Sequence, residues 1–295
     1  MIPYRLIAGA ADSTLVYASP HSGRDLPEDA GVRRTLRPAA SGAPGLRESE
    51  DALVDELIVP AAREHGIAVL LAMISRVYVD LNRSADDIDP LLIRGARVSE
   101  PLNARVRAGL GVIPRLNGTG EVLYPAMLDL DEFHRRVERV HRPYHEALKA
   151  LMDAAMQHSG RGLLIDWHSM PSTVRVAGPA RPEPVADIVL GDRYGGSCAR
   201  EITEHMAAAF RAEGLSVALN RPYAGGYTTE RWGRPAEGLH ALQVELNRAL
   251  YLDEARLKPG PGFAAVQAMI GRITQSLVDI WGQGRAARPS ARAAE

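Results

Sequence analysis

Two apolar runs in this 295-residue chain end in the same way, and that ending constrains the fold more than any other feature. Leu163, Leu164 and Ile165 run into Asp166, Trp167 and His168, with Pro171 closing the turn. Near the start, Leu15 to Ser19 runs into Pro20, His21, Ser22, Gly23 and Arg24. A short continuous apolar run bounded by turn signals reads as a buried strand. Polar residues at the carboxyl end of such a strand mark the ligand crevice of an open α/β sheet. Each strand is expected to deliver one histidine to a loop, and the matching contexts point to a shared metal or catalytic site. Taken singly, either histidine reads equally as a hydrogen-bonded loop residue.

The rest of the chain alternates in the same grammar. Strands are expected at residues 14–19, 67–74, 76–81, 162–167, 187–190, 215–219 and 240–246. Helices are expected at 51–64, 131–158, 197–213 and 263–281, with Pro143 kinking or dividing the second. Residues 38–47, 171–186 and 220–238 read as loops, and 84–120 as a long excursion suited to a lid. Alternation of this kind predicts α/β architecture: a single-domain three-layer α/β/α sandwich with a mixed, mostly parallel sheet. The domain is expected to span 1–283, with 284–295 a frayed tail.

Composition narrows the partners. The net charge of -1 gives no reason to expect nucleic acid or an anionic membrane. Cys198 stands alone, which excludes an internal disulfide and a cysteine-based metal site. Lys149 and Lys258 are the only lysines. Arginine suits bidentate carboxylate binding, though genomic base composition produces the same bias. No charged n-region with a following apolar stretch opens the chain, and the run Ala68 to Ile74 is far too short for a bilayer. A cytoplasmic protein is expected; the oligomeric state is not indicated.

Four groups of residues carry candidate chemistry. His21, Asp51 and His168 match the three protein ligands of a catalytic zinc, with Glu48 and Glu50 competing for the carboxylate role. Asp51 reads equally as an ordinary cap at a helix start. Gln243, Glu245 and Asn247 alternate onto one strand face, where Glu245 is either a general base in a cleft or simply exposed. Arg76, Tyr78 and Asp80 share a face of the 76–81 segment, and Asn82 and Arg83 follow. They form either a carboxylate clamp or an ion pair holding a strand end. Asn220, Gly225, Gly226 and Tyr227 lie in a glycine-rich segment that suits close approach to a ligand, or a simple turn. The glycine turn Gly191 to Ser197 is a weaker anion-site candidate, and no Walker or dinucleotide fingerprint is present.

In order, the segments SPHSGR (19–24), EDALVDEL (50–57), SRVYVDLNR (75–83), Tyr144-His145, DWHS (166–169), LGDRYGGSC (190–198), NRPYAGGYTT (220–229) and HALQVELNRALYLDE (240–254) resemble the N-formylglutamate amidohydrolase family. The resemblance implies a carboxypeptidase- and amidase-like fold with one zinc ion per chain. It implies hydrolysis of N-formyl-L-glutamate to formate and glutamate. Under it, His21, Asp51 and His168 become zinc ligands and Glu245 the base for a zinc-activated water. Asn82 and Arg83 would hold a substrate carboxylate, Arg76 the developing oxyanion, and Asp166 would orient His168 or a neighbouring loop. Asn220, Gly225, Gly226 and Tyr227 are expected at the substrate. Carboxypeptidases place a glutamate ligand three residues after the first histidine, where this chain has Arg24. The carboxylate therefore comes from elsewhere, among Asp51, Glu50 and Glu48. The alternatives are an amidohydrolase for another N-acyl or N-formyl amino acid or small peptide, and a non-catalytic metal- or ligand-binding member of the fold.

Overall fold

The computed structural model describes residues 2–28, 30–32, 45–97, 101–118, 120–174 and 183–283. The expected tail at 284–295 and most of the 38–47 loop lie outside the described residues. In chain order the first elements are β1 (Tyr4–Ile7), β2 (Leu15–Ser19), α1 (Val54–Glu64), β3 (Ala68–Ala72), α2 (Ala104–Arg107), α3 (Leu130–Arg136), α4 (Arg142–Ser159) and β4 (Gly162–Met170). Then come β5 (Thr173–Val174), β6 (Glu183–Pro184), β7 (Ile188–Gly191), α5 (Arg200–Ala212), β8 (Val217–Leu219), α6 (Tyr227–Trp232), β9 (Leu239–Asn247), β10 (Leu252–Asp253), β11 (Lys258–Pro259) and α7 (Phe263–Gln283).

Seven strands form one sheet in the order β1-β3-β2-β4-β9-β7-β8. The central strands β3, β2, β4 and β9 are parallel. The edge strand β1 is antiparallel to β3, and β7 turns antiparallel to β9 while pairing parallel with β8. Helices cover both faces. Period-two alternation sends Leu15 and Tyr17 of β2, and Leu163, Ile165 and Trp167 of β4, into a core shared with Leu57, Ile58, Phe210 and Ile270 of α1, α5 and α7. Val16, Ala18 and Leu164 face the other way, onto Tyr144, Leu148 and Met152 of α4 and onto the excursion. The expected mixed three-layer architecture is what the chain forms. No helix among the described residues is long and apolar enough to cross a membrane.

Three local expectations differ, and a fourth, the division of residues 131–158 near Pro143, is met. The predicted strand at 76–81 is a series of turns instead. Val77, Tyr78, Val79, Asp80 and Leu81 are all buried, so their alternation does not mark a half-exposed strand. Their backbone is satisfied outside a ladder: Tyr78 N donates to Ser75 O at 3.0 Å, and the Tyr124 hydroxyl to Val77 O at 2.6 Å. Residues 131–158 divide into α3 and α4 around a π turn at Val137–His141, with Pro143 in the first turn of α4. Proline lacks the N–H and crowds the carbonyl four residues back, so the wider turn precedes it. β4 runs on to Met170, paired with β9 along nine positions, so His168 sits within a strand and not in a loop. The glycine-rich 220–238 segment contains α6.

Candidate active site

The connection from β2 runs through α1 to β3 on one side of β2. The chain then returns to β4 on the other side. Connections that diverge from adjacent parallel strands open a crevice at their carboxyl ends. His21 follows β2 directly, and His168 lies near the end of β4. Gly23 lets the chain turn there, because a Cβ would collide with the carbonyl of Ile74. A cleft of about 480 Å³ fills the crevice.

His21, Asp51 and His168 meet at its floor, all buried. His168 Nδ1 is 2.9 Å and His21 Nδ1 3.4 Å from Asp51 Oδ2. The ligand-capable atoms of the three residues lie within 4.8 Å of one another. Helix α1 starts only at Val54, and Asp51 does not cap it; its carboxylate turns to the histidines. Asp51 Oδ1 accepts from Ser169 Oγ at 3.2 Å and from Arg248 Nη2 at 3.4 Å. Glu50 is instead engaged by Arg47 at 2.9 Å, and Glu48 lines the cleft wall. Asp51 is thus the carboxylate that joins the pair.

The outer ring nitrogens are held too. His21 Nε2 is 2.7 Å from Asp80 Oδ1, and His168 Nε2 is 2.9 Å from Asp166 Oδ2. A carboxylate behind an imidazole fixes its tautomer and rotamer and raises its basicity. With Nε2 carrying the proton toward that carboxylate, both Nδ1 atoms present lone pairs toward Asp51. His21 Nδ1 is buried and has no hydrogen-bond partner. Three lone-pair donors converging in a buried space repel one another unless a cation lies between them. The electrostatics favour positive charge between these groups. Burial opposes charge on His168, yet Asp166 and Asp51 outweigh it and hold its pKa well above the usual imidazole value. Burial likewise opposes ionisation of Asp51, yet His168 and His21 hold it well below the usual carboxylate value. The residues fit a metal ion.

Glu245 stands beside His168 as its register partner on β9 and lines the cleft. Gln243 Nε2 donates to Glu245 Oε1 at 2.7 Å. Burial pushes the Glu245 carboxyl up to about 7; His168 pulls it down, and Asp51 adds to the rise. Arg76 is locked to Asp80 Oδ2 at 2.6 Å by Nη2 and at 3.2 Å by Nε. Arg76 thus forms an ion pair with Asp80 and also lines the cleft. Asn82 Nδ2 lies 3.3 Å from His168 Nε2, and its Oδ1 accepts from Thr228 N at 2.8 Å. Gly226 passes so close to this amide that a Cβ would overlap it. Arg83 lines the cleft beside Asn82.

Three expected substrate contacts fall elsewhere. The Asn220 side chain turns to the glycine turn before α5, accepting from Asp192 N and Tyr194 N and donating to Asp192 Oδ1 at 2.8 Å. That pairing makes both segments structural, and neither Asn220 nor the turn lines the cleft. Gly225, at φ +120, packs against Thr229 and Arg193. Tyr227 packs on His141 and His145. Residues not singled out take their place: Tyr223 and Arg105 at the wall, and Arg248, which donates to Ser169 Oγ at 3.1 Å and to the carbonyl of Glu50. Arg248 directly follows the Asn247 of the β9 pattern, so its position was readable, while its partners were not. His141 Nε2 and His145 Nε2 bond the carbonyls of Arg83 and Leu81 at 2.8 and 2.9 Å, anchoring the segment that carries Asn82 and Arg83. The 84–120 excursion forms a wall of the cleft through Arg105, Leu110, Pro114 and Leu116.

The sequence model of the N-formylglutamate amidohydrolase family matches residues 13–252. The chain is 31% identical to an N-formylglutamate deformylase of Pseudomonas putida over 243 residues, covering 81% of this chain and 82% of that protein. It is 32% identical to the N-formylglutamate deformylase of Pseudomonas aeruginosa over 260 residues, covering 85% and 90%. The crystal structure of N-formylglutamate amidohydrolase from Ralstonia eutropha JMP134 superposes with a TM-score of 0.86 at 33% identity, covering 96% of this chain and 100% of that one. By sequence and by fold, this chain belongs to the N-formylglutamate amidohydrolase family.

Proposed function

We propose that this chain hydrolyses N-formyl-L-glutamate to formate and L-glutamate, with one zinc ion held by His21, Asp51 and His168. The observation that carries this reading is the convergence of those three ligand atoms beside Glu245, in an arginine-lined cleft of a chain from this family. Two neutral imidazoles and one carboxylate, with the cleft open above them, are the donor set of a catalytic zinc. A zinc ion held there supplies Lewis-acid polarisation and a water of near-neutral pKa.

The chain's own groups handle the protons and the charge. Glu245 accepts a proton from the attacking water as its oxygen bonds to the formyl carbon. Held near pKa 7, the carboxyl is poised both to take that proton and to return it. It returns the proton to the amide nitrogen as the C–N bond breaks, so the amine leaves uncharged and formic acid remains, which ionises to formate. Gln243 fixes one Glu245 oxygen and so directs the other. Arg76, immobilised on Asp80, faces the developing oxyanion with a fixed positive charge. Asn82 and Arg83, anchored from behind by His141 and His145, hold the substrate α-carboxylate and thereby the reacting geometry.

The test is amine release from N-formyl and N-acetyl amino acids by metal-stripped protein, with and without added zinc. Zinc-dependent cleavage fastest on N-formyl-L-glutamate is expected. Cleavage indifferent to chelation would remove the metal from the reading. Stoichiometric zinc without cleavage of any substrate would remove the reaction.

A further inference from the structure

Four arginines line the cleft, and they divide into two pairs. Arg76 and Arg248 are committed to carboxylates of the protein, Asp80 and Asp51. Among the described residues, Arg83 and Arg105 donate only to carbonyl oxygens. Arg83 Nε reaches Leu110 O at 3.1 Å and its Nη1 reaches Asn82 O at 2.8 Å. Arg105 Nη2 reaches Gly225 O at 3.3 Å. Asp87 acts electrostatically with both, but its oxygens are taken by the Asn103 amide and by Ser84 N. The two guanidiniums therefore share the cleft without an ion-pair partner among the described residues. Burial pushes Arg83 down to about 10; Asp80 opposes that, while Arg105 and Arg76 add to the fall. Like charges left facing a common space are favourable only when an anion enters it.

Their positions differ in depth. Arg83 is buried and follows Asn82, whose amide lies 3.3 Å from His168 Nε2. Arg105 is exposed on α2, in the excursion, and reaches across to the loop before α6. In an N-formyl amino acid the α-carboxylate sits next to the scissile amide, whereas an acidic side chain places a second carboxylate further out. The inner cation suits the first and the outer cation the second. We propose that Arg105 binds the side-chain carboxylate and makes this site selective for acidic N-formyl amino acids. The proposal rests on the hydrolytic reading above and adds the residue that sets its substrate class.

The test compares wild type with Arg105→Gln on N-formyl-L-glutamate and on its neutral isostere N-formyl-L-glutamine, together with calorimetric binding of L-glutamate. A charge-assisted hydrogen bond predicts a loss of about 10- to 100-fold in kcat/KM on the glutamate substrate. The glutamine substrate should change by less than about threefold, so that the selectivity ratio collapses. L-Glutamate binding should weaken by a factor comparable to the first. If Arg105 only staples α2 to Gly225, both substrates lose activity together, and that outcome overturns the proposal. Unchanged kinetics and binding overturn it as well. Wild type that cleaves neither substrate overturns the hydrolytic reading instead; the L-glutamate titration then still decides whether Arg105 binds the carboxylate.

Discussion

The two faces of β4 and β9 carry opposite chemistry on the same eighteen residues. Toward α1, α5 and α7 the strands present Leu163, Ile165 and Trp167, and Leu242, Val244 and Leu246, apolar until Ser169 near the end of β4. Toward α4 and the excursion they present Leu164, Asp166 and His168, and Ala241, Gln243 and Glu245, apolar first and then polar. Both sets are buried. A buried polar group costs free energy unless it is paired, and here the pairing is nearly complete: Asp166 to His168, His168 to Asp51, Gln243 to Glu245. One face of the sheet holds the fold together, while the other spends its last turns of register on a site that invites a cation.

The largest expected effects come from breaking the polar face at the metal. His168→Ala should remove bound zinc and activity together, read by elemental analysis and turnover of the purified variant. Glu245→Gln should keep zinc and the fold yet lower kcat by about 10²- to 10⁴-fold, the usual range for a general base. Near-normal kcat in Glu245→Gln would assign the base elsewhere. Loss of zinc in the same variant would make Glu245 part of the metal site, contrary to the division drawn here.

The apolar face should respond in the opposite sense. Leu242 is fully buried between β9 and its helices. Leu242→Ala should lower unfolding free energy by about 2–5 kcal/mol, through lost transfer free energy and the residual cavity. Below its unfolding transition, the variant should still bind one zinc with wild-type kcat. Denaturant unfolding of the metal-free protein gives the first quantity, and metal analysis with steady-state kinetics the others. A proportional loss of kcat in the folded variant would show that the two faces are not separable.

How much of this was legible follows from range. The strands, the paired histidines and Glu245 were readable because each signal lies within a few residues: an apolar run, a polar ending, a period of two. The ring of supports was not. Asp80 backs His21 across 59 positions, and Arg248 reaches Asp51 across 197. No local pattern encodes those contacts. The 76–81 segment misled because burial on all sides imitates strand alternation, and its backbone bonds go to Ser75 and to the Tyr124 hydroxyl. Asn220 misled because a polar residue beside a diglycine fits a ligand loop and a capped turn equally well, and Asp192 decides between them. His145 stands in the sequence only as half of a Tyr-His pair; its partner is the carbonyl of Leu81, which carries no side-chain signature.

His145, on the α4 helix that covers the polar face, supplies the smallest effect and sharpens the comparison on that side of the sheet. His168 is held above the usual imidazole pKa by carboxylates, whereas His145 is pushed down to about 3. Burial is the largest cause for His145, and His141 and Arg231 add to it against the bond to Leu81 O. It packs on Tyr227 and Trp232, and its Nδ1 has no hydrogen-bond partner. Between pH 3 and 6.5 the unfolded chain binds a proton at this position and the folded chain does not. Stability from His145 is therefore present above 6.5 and lost as pH falls, by about 1.4 kcal/mol per unit. His145→Gln keeps a donor for Leu81 O and removes the titration. Its unfolding free energy should fall less steeply than wild type between pH 6.5 and 5, with His141 left to supply part of the remaining slope. At pH 7.5 its KM should stay close to wild type, because the glutamine amide still anchors the Asn82–Arg83 segment. Parallel slopes in urea unfolding at pH 6.5 and 5 would mean that the folded protein accepts the proton, and that α4 tolerates charge where the packing says it should not.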